Sequence, residues 1–278
     1  MSQNAGNIRL IIFDWAGTTV DFGSRAPAAA FAKVFAANQV DVSDAEARKP
    51  MGLSKREHLV AMLGDPGIAA RWKSAWKVAW TEQDVDRMYE QFVPLQLKAI
   101  EEHAGLVPNL LDVVSQLRLR GLKLGGTTGY FRAAAEAVAR RAAIDGFELD
   151  ANTCADDVPA GRPAPWMIFR LMQQLGIYPP AAVVKIGDTV ADIQAGLAAG
   201  CWSIGVCDSS SLTGMSQAEF SGLSVSQRQA CLERAMLIFE EAGCHAAIPS
   251  IRELPALIDH LNQRSTSAPQ VLDRRTIC

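Results

Sequence analysis

Four polar elements stand where apolar runs end. Asp14 follows Ile8-Arg9-Leu10-Ile11-Ile12-Phe13, and Thr128, with Thr127, follows Leu122-Lys123-Leu124-Gly125-Gly126. Arg162 lies in Val158-Pro159-Ala160-Gly161-Arg162-Pro163, and Asp188 in Gly187-Asp188-Thr189-Val190-Ala191-Asp192. One acid at a strand end carries little information, but this set in this order suits phosphoryl transfer. A carboxylate attacks phosphorus, a hydroxyl and a cation hold phosphoryl oxygens, and a second carboxylate holds Mg²⁺. Asp192 reads equally as a further acid of the site or as part of the helix cap that Thr189-x-x-Asp192 resembles. Position 16 is alanine, so the expected nucleophile, Asp14, has no proton donor two residues on.

Such residues need a parallel sheet, which gathers strand ends at one edge. Ile8 to Asp14 reads as a buried strand. From about Ala26 to His103 the signals are helical. Phe31, Val34 and Phe35 have helical spacing, and Trp72, Trp76 and Trp80, at i, i+4 and i+8, are expected on one packed helix face. Thr81-x-x-Asp84 predicts the start of a long helix through Met88, Phe92, Leu95 and Ile100, kinked at Pro94. Strands then alternate with helices. Helices are expected over 110–120, 132–142, 166–175 and from Thr189 to Gly200, and strands over 122–128, 152–154, 182–188 and 202–206. The fold class is α/β: a doubly wound, Rossmann-like parallel-sheet core over 1–23 and 104–264, with a helical cap over 24–103. Inserted after the first strand, the cap lies over its carboxyl end and can act as a lid. The polar stretch 265–278 is expected to be poorly ordered.

Composition excludes several classes. A net charge of -3 leaves no basic footprint for nucleic acid, and no run approaches the ~18 apolar residues of a membrane span. The first seven residues lack a secretory layout, and the six cysteines show no CxxC pair. A cytoplasmic protein with reduced thiols is expected.

Three segments carry a family resemblance: Phe13-Asp14-Trp15-Ala16-Gly17-Thr18-Thr19-Val20-Asp21, Ala47-Arg48-Lys49-Pro50-Met51-Gly52-Leu53-Ser54-Lys55 and Asp156-Asp157-Val158-Pro159-Ala160-Gly161-Arg162-Pro163. They resemble the phosphonoacetaldehyde hydrolase (phosphonatase) family of the haloacid dehalogenase superfamily, from about Ile8 to about Gln263. The resemblance implies hydrolysis of phosphonoacetaldehyde to acetaldehyde and phosphate, in 2-aminoethylphosphonate degradation, by a homodimer. It places the nucleophile on Asp14, the Schiff-base lysine on Lys55, and Mg²⁺ on Asp14, the Ala16 carbonyl and Asp188. Thr128, Gly129 and Arg162 are expected around the phosphoryl group.

Lys55 has local support for that role. Ser54-x-x-Glu57 reads as a capping box, making Lys55 the first helical residue, at the positive end of the helix dipole. That position, burial, and like charge from Arg48 and Lys49 are all expected to lower its pKa and free the amine for a carbonyl. His58, three residues on, shares its helix face and is expected either to shuttle protons during imine formation or to pack. An imine also accounts for Ala16, because an enamine leaves from carbon with its electrons already accepted and needs no acid. A Mg²⁺-dependent phosphatase or phosphomutase would want an acid at position 16, and a haloacid dehalogenase would not need the Asp188 metal site. A non-catalytic module would have no use for Asp14, Lys55 and Asp188 together. The loop Ser209 to Gly214 either borders the phosphate site or is a surface turn.

Overall fold

A computed structural model describes residues 8–263 and 269–272 of the chain. Six parallel strands form one sheet in the order β3-β2-β1-β4-β5-β6. They are β1 (Leu10–Asp14), β2 (Lys123–Thr128), β3 (Ala151–Cys154), β4 (Val183–Gly187), β5 (Trp202–Val206) and β6 (Ala246–Ile248). The chain winds outward from β1 through β2 and β3, then returns to start β4 on the other side of β1. That reversal opens a crevice at the carboxyl ends of β1 and β4, where open α/β sheets bind ligands. Asp14 pairs in register with Thr127, and Phe13 with Ile186, so Asp14, Thr128 and Asp188 emerge side by side. β1, β4 and β5 are buried on both faces, as helix-covered parallel strands are.

Five helices lie between β1 and β2: α1 (Arg25–Ala37), α2 (Asp44–Arg48), α3 (Lys55–Leu63), α4 (Pro66–Trp76) and α5 (Glu82–His103). Capping boxes at Ser43, Ser54 and Thr81 start α2, α3 and α5, each pairing a hydroxyl and an acid with otherwise unsatisfied backbone N–H groups. α1 packs on α5 through Phe31 and Phe92, whose rings stack at 4.4 Å. The expected three-tryptophan face is shorter than its spacing implied. Lys77, in the left-handed region at φ 64°, ends α4, so Trp80 leaves the helix while Trp72 and Trp76 stack at 5.8 Å. α5 continues through Pro94 as one helix.

The chain enters and leaves this helical unit through paired segments. Val20 bridges Leu106 in antiparallel fashion, Asp21 N–H donates to the Gly105 carbonyl (3.0 Å), and Val107 N–H to that of Thr19 (2.9 Å). One apolar cluster runs from Phe35, Trp72 and Phe92 of the helical unit to Phe13, Trp15 and Phe147 of the sheet layer.

The flanking helices are α6 (Leu110–Leu119), α7 (Arg132–Ile144), α8 (Trp166–Leu175), α9 (Val190–Ala198), α10 (Gln217–Gly222), α11 (Val225–Glu241) and α12 (Leu254–Gln263). Of the stretch expected to be poorly ordered, residues 265–268 and 273–278 lie outside the described residues. Leu272 is buried, and its N–H donates to the His245 carbonyl at 2.8 Å. Cys154, Cys201, Cys207 and Cys231 are free thiols. Among the described residues no helix is long and apolar enough to cross a membrane.

Candidate active site

Asp14 ends β1, and the chain turns at once: the Trp15 carbonyl accepts N–H groups from Thr19 (2.8 Å) and Val20 (3.0 Å). Gly17 permits this turn. Its φ is +84°, and a methyl group there would overlap the Asp188 carboxylate. Asp14 is buried, and its Oδ1 accepts from Arg162 Nη1 at 2.7 Å. Burial lifts its carboxyl above the ordinary 3.8, an effect that Arg162 opposes and Asp192 reinforces.

Asp188 follows β4. Its Oδ2 accepts from Ser211 N–H at 2.8 Å, while Oδ1, also buried, has no partner among the described residues. Burial, then the charges of Asp14 and Asp192, hold its pKa well above the ordinary value. The Ser209 to Gly214 loop therefore borders the site. Ser209 Oγ donates to the Gly17 carbonyl (2.8 Å) and Ser210 Oγ to that of Asp188 (3.0 Å).

Asp192 fills both roles its sequence left open. Its N–H donates to Thr189 Oγ1 (3.2 Å), capping α9, and its carboxylate accepts from Arg162 and sits 2.6 Å from Lys185 Nζ. Burial raises its pKa, but Arg162 and Lys185 outweigh burial and hold it near 2.

Ligand atoms of Asp14, Asp188 and Asp192 lie within 4.8 Å of one another. Buried carboxylates this close repel unless a cation joins them, and hard oxygen donors suit Mg²⁺. Asp192 is already occupied by two cationic side chains. The unpartnered Oδ1 of Asp188 and the carboxylate of Asp14 fit a metal better.

Arg162 Nε is buried without a partner among the described residues, and the Thr128 hydroxyl accepts from Tyr130 N–H (3.1 Å), which leaves its own hydrogen to donate. Both are open donors for an anion. Gly129 lets these loops meet the helical unit: a methyl group there would stand 2.7 Å from the Leu53 carbonyl oxygen and 3.2 Å from Arg162 Nη2.

Lys55 comes from that unit, as the first residue of α3 behind the Ser54 capping box. It is only 5% exposed, with Nζ 5.1 Å from the ring centre of Tyr130 and 5.8 Å from that of Phe31. Its pKa is lowered to about 8, first by burial and then by Arg162, against the pull of Asp14, Asp188 and Asp21. Arg48 and Lys49, expected to contribute, are engaged elsewhere. Arg48 pairs with Asp44 (2.5 Å) and donates to the Gly23 carbonyl (2.6 Å), and Lys49 pairs with Asp65 (3.1 Å).

His58 is buried on the same face of α3, stacked on Phe31 at 3.7 Å. Its Nε2 lies 2.9 Å from the Ala47 carbonyl, which can only accept, so the ring proton belongs on Nε2. Nδ1 has no partner among the described residues, and burial, then the charge of Lys55, keep the ring neutral well below its ordinary pKa.

One cavity is lined by Asp14, Ala16, Lys55, Thr128, Gly129, Arg162 and Asp188, together with Tyr130, Met51 and Gly52; His58 is not in its lining. Its free volume of about 20 Å³ admits about one water molecule. Two charged residues close to the site escaped the sequence reading. Lys185 looked like part of an apolar strand. Asp21 accepts N–H groups of Arg25 (3.0 Å) and Ala26 (2.9 Å) at the start of α1, and burial lifts its pKa to about 6 despite those bonds.

Comparison with known proteins shows the family. A family model described as haloacid dehalogenase-like hydrolase matches residues 8–200. A phosphonoacetaldehyde hydrolase from Hahella chejuensis is 40% identical over 93% of this chain and 88% of its own length. One from Bacillus cereus is 40% identical over 92% and 97%. The crystal structure of a phosphonoacetaldehyde hydrolase-like protein from Oleispira antarctica superimposes with a TM-score of 0.92 at 35% identity, covering 94% of each chain. The chain belongs to the phosphonoacetaldehyde hydrolase family of the haloacid dehalogenase-like hydrolases.

Proposed function

We propose that this enzyme hydrolyses the carbon–phosphorus bond of phosphonoacetaldehyde to acetaldehyde and phosphate. The observation that carries the reading is the meeting, in the lining of one small cavity, of a carbonyl-seeking amine from the helical unit and a phosphorus-seeking carboxylate from the sheet. Heterolysis of a carbon–phosphorus bond would leave a carbanion, so an electron sink is needed first. The Lys55 amine adds to the aldehyde and water is lost, giving an iminium. Asp14 attacks phosphorus, and the carbon–phosphorus electron pair passes into the iminium, leaving a neutral enamine and an aspartyl-phosphate. Water releases phosphate from Asp14. Protonation of the enamine carbon and hydrolysis of the imine release acetaldehyde and restore Lys55.

Arg162 and Thr128, with their open donors, hold the phosphoryl oxygens, and Gly129 gives them close approach. His58, neutral and with a vacant Nδ1, is the proton carrier for imine formation. Asp14, Asp188 and the Ala16 carbonyl would hold Mg²⁺, which would neutralise charge on the phosphoryl group. The helical unit serves as a lid that admits substrate to this small cavity and excludes water from it. On this reading the lid is residues 24–103, and the described parts of 1–23 and 104–264 form the core. A phosphate-ester hydrolase would have no use for a buried lysine of lowered pKa at this place.

The same reading takes the enzyme as a cytoplasmic homodimer of 2-aminoethylphosphonate degradation. Trp76, 42% exposed, and Val78, 61% exposed, are apolar surface that a second copy could cover; light scattering giving a monomer mass would exclude the dimer. Borohydride trapping tests the chemistry. Incubation with phosphonoacetaldehyde and borohydride should leave a two-carbon adduct on Lys55 and inactivate the enzyme. Turnover of the substrate by Lys55→Ala at the wild-type rate would sink the imine mechanism.

A further inference from the structure

Lys185 stands in the middle of β4, in Val183-Val184-Lys185-Ile186-Gly187, and is 1% exposed. Its neighbours in register are Ile12 on β1 and Ser203 on β5. An apolar β-former would satisfy this position, whereas an ammonium brought here must give up its hydration. The lysine does not line the reaction cavity. Its Nζ donates to the Ile186 carbonyl at 2.9 Å and lies 2.6 Å from Asp192 Oδ1. The same Oδ1 accepts from Arg162 Nη1, which also bonds Asp14 Oδ1 at 2.7 Å. A continuous buried relay thus runs Lys185–Asp192–Arg162–Asp14.

We propose that Lys185 is a positioning residue for phosphoryl transfer: by sharing the charge of Asp192, it keeps Arg162 available to Asp14 and to the phosphoryl group. The role assigned to Arg162 rests on the function proposed above. Three carboxylates, Asp14, Asp188 and Asp192, gather here, and Arg162 and Lys185 are the basic side chains that ion-pair with them. Without Lys185, Asp192 has Arg162 as its remaining cationic partner in the relay, and the guanidinium is drawn toward it. The bond to Asp14, and an Nε without a partner among the described residues, show that the donors of Arg162 are not all spent on Asp192. Lys185 preserves that reserve.

The test compares wild type with Lys185→Met, Asp192→Asn and the double variant Lys185→Met/Asp192→Asn. Two readouts are the binding of inorganic phosphate by the Mg²⁺-loaded enzyme and kcat for phosphonoacetaldehyde; a third is borohydride trapping at Lys55. Lys185→Met should weaken phosphate binding and lower kcat, each on the order of tenfold to a hundredfold, the range for unbalancing a buried charge network. Trapping at Lys55 should survive. In the Asp192→Asn background, removal of Lys185 should change phosphate binding less than threefold, because the charge it balances is gone.

A folded Lys185→Met enzyme with wild-type phosphate affinity and kcat would overturn the proposal. So would an equal loss on removing Lys185 with and without Asp192, which would mark a packing role. If Lys185→Met does not fold, comparison of the double variant with Asp192→Asn decides, since neither leaves Asp192 charged. A further loss of tenfold or more in the double variant would overturn the proposal. Phosphate binding needs no imine, so failure of the Lys55 chemistry would show separately, as absent trapping in the wild type.

Discussion

The backbone of Gly52 lies against the hydroxyl of Thr189, such that a methyl group on Gly52 would stand 2.6 Å from Thr189 Oγ1 and 2.8 Å from the Ala191 methyl. Gly52 also holds φ +101°, a conformation L side chains rarely adopt. This contact seats the helical unit on the start of α9, beside Asp188 and Asp192. Gly52→Ala should therefore lower kcat/KM at least about a hundredfold, since displacing a reacting group by 1 Å has an effect of that size. Steady-state kinetics beside a thermal melt checks it; wild-type kcat/KM would show that the unit need not seat here.

The pKa of Lys55 gives a rate and a stability prediction of opposite sense. The free amine accumulates as pH rises through about 8, so the trapping rate should climb to that pH and then level. For stability, a base whose folded pKa has dropped from 10.5 to about 8 disfavours folding fully below pH 8. Over the window from about 8 to 10.5 the unfolded chain binds more protons, and stability recovers as pH rises. Lys55→Met should abolish activity yet stabilise the protein at pH 7, by up to about 3 kcal/mol. Denaturant titrations at pH 7 and pH 10 check this; a gain that fails to shrink at pH 10 contradicts it.

Metal should act on stability as well as on rate. The carboxylates of Asp14, Asp188 and Asp192 crowd together, and Asp188 Oδ1 has no partner among the described residues. Mg²⁺ should raise the wild-type Tm in a concentration-dependent way, and chelation should remove activity. Asp188→Asn should lose both effects while melting above the metal-free wild type, by about 1–3 kcal/mol, because a buried repulsive charge is gone. A melt of Asp188→Asn that still rises with Mg²⁺ would place the metal elsewhere.

His58 offers a separation of packing from proton transfer. His58→Gln can keep a donor for the Ala47 carbonyl but loses the basic ring nitrogen. Trapping at Lys55 should slow by about 10²-fold, the usual contribution of a positioned acid–base group. His58→Ala should instead destabilise the fold by about 3 kcal/mol through the cavity left against Phe31 and the orphaned carbonyl. Equal trapping rates in His58→Gln and wild type would leave His58 a packing residue.

Strand-end chemistry was legible because it is local: an apolar run ending in Asp14, Thr128 or Asp188 states both the strand and its edge. Lys55 was legible through its capping box and surrounding motif. What escaped depended on partners outside the element being read or on backbone angles. Arg48 and Lys49 are neighbours of Lys55 in the chain, but Asp44, the Gly23 carbonyl and Asp65 draw their charges away, and Arg162 supplies the like charge instead. The tryptophan spacing could not reveal that Lys77 turns left-handed before Trp80. Lys185 looked like an intruder in an apolar strand because its reason, Asp192, lies on the next helix. The Ser209 to Gly214 loop had no periodicity to place it, and its tie to Asp188 is tertiary.

The paired crossings at Val20 and Leu106 have a mechanical consequence. Two independent tethers would let the helical unit tumble and return in many orientations. Tethers bonded to one another share a single hinge axis, so if the unit opens as the proposed lid, both would bend together and closing would retrace the same arc. Lys55 would then return opposite Asp14 with the registration of a door in its frame.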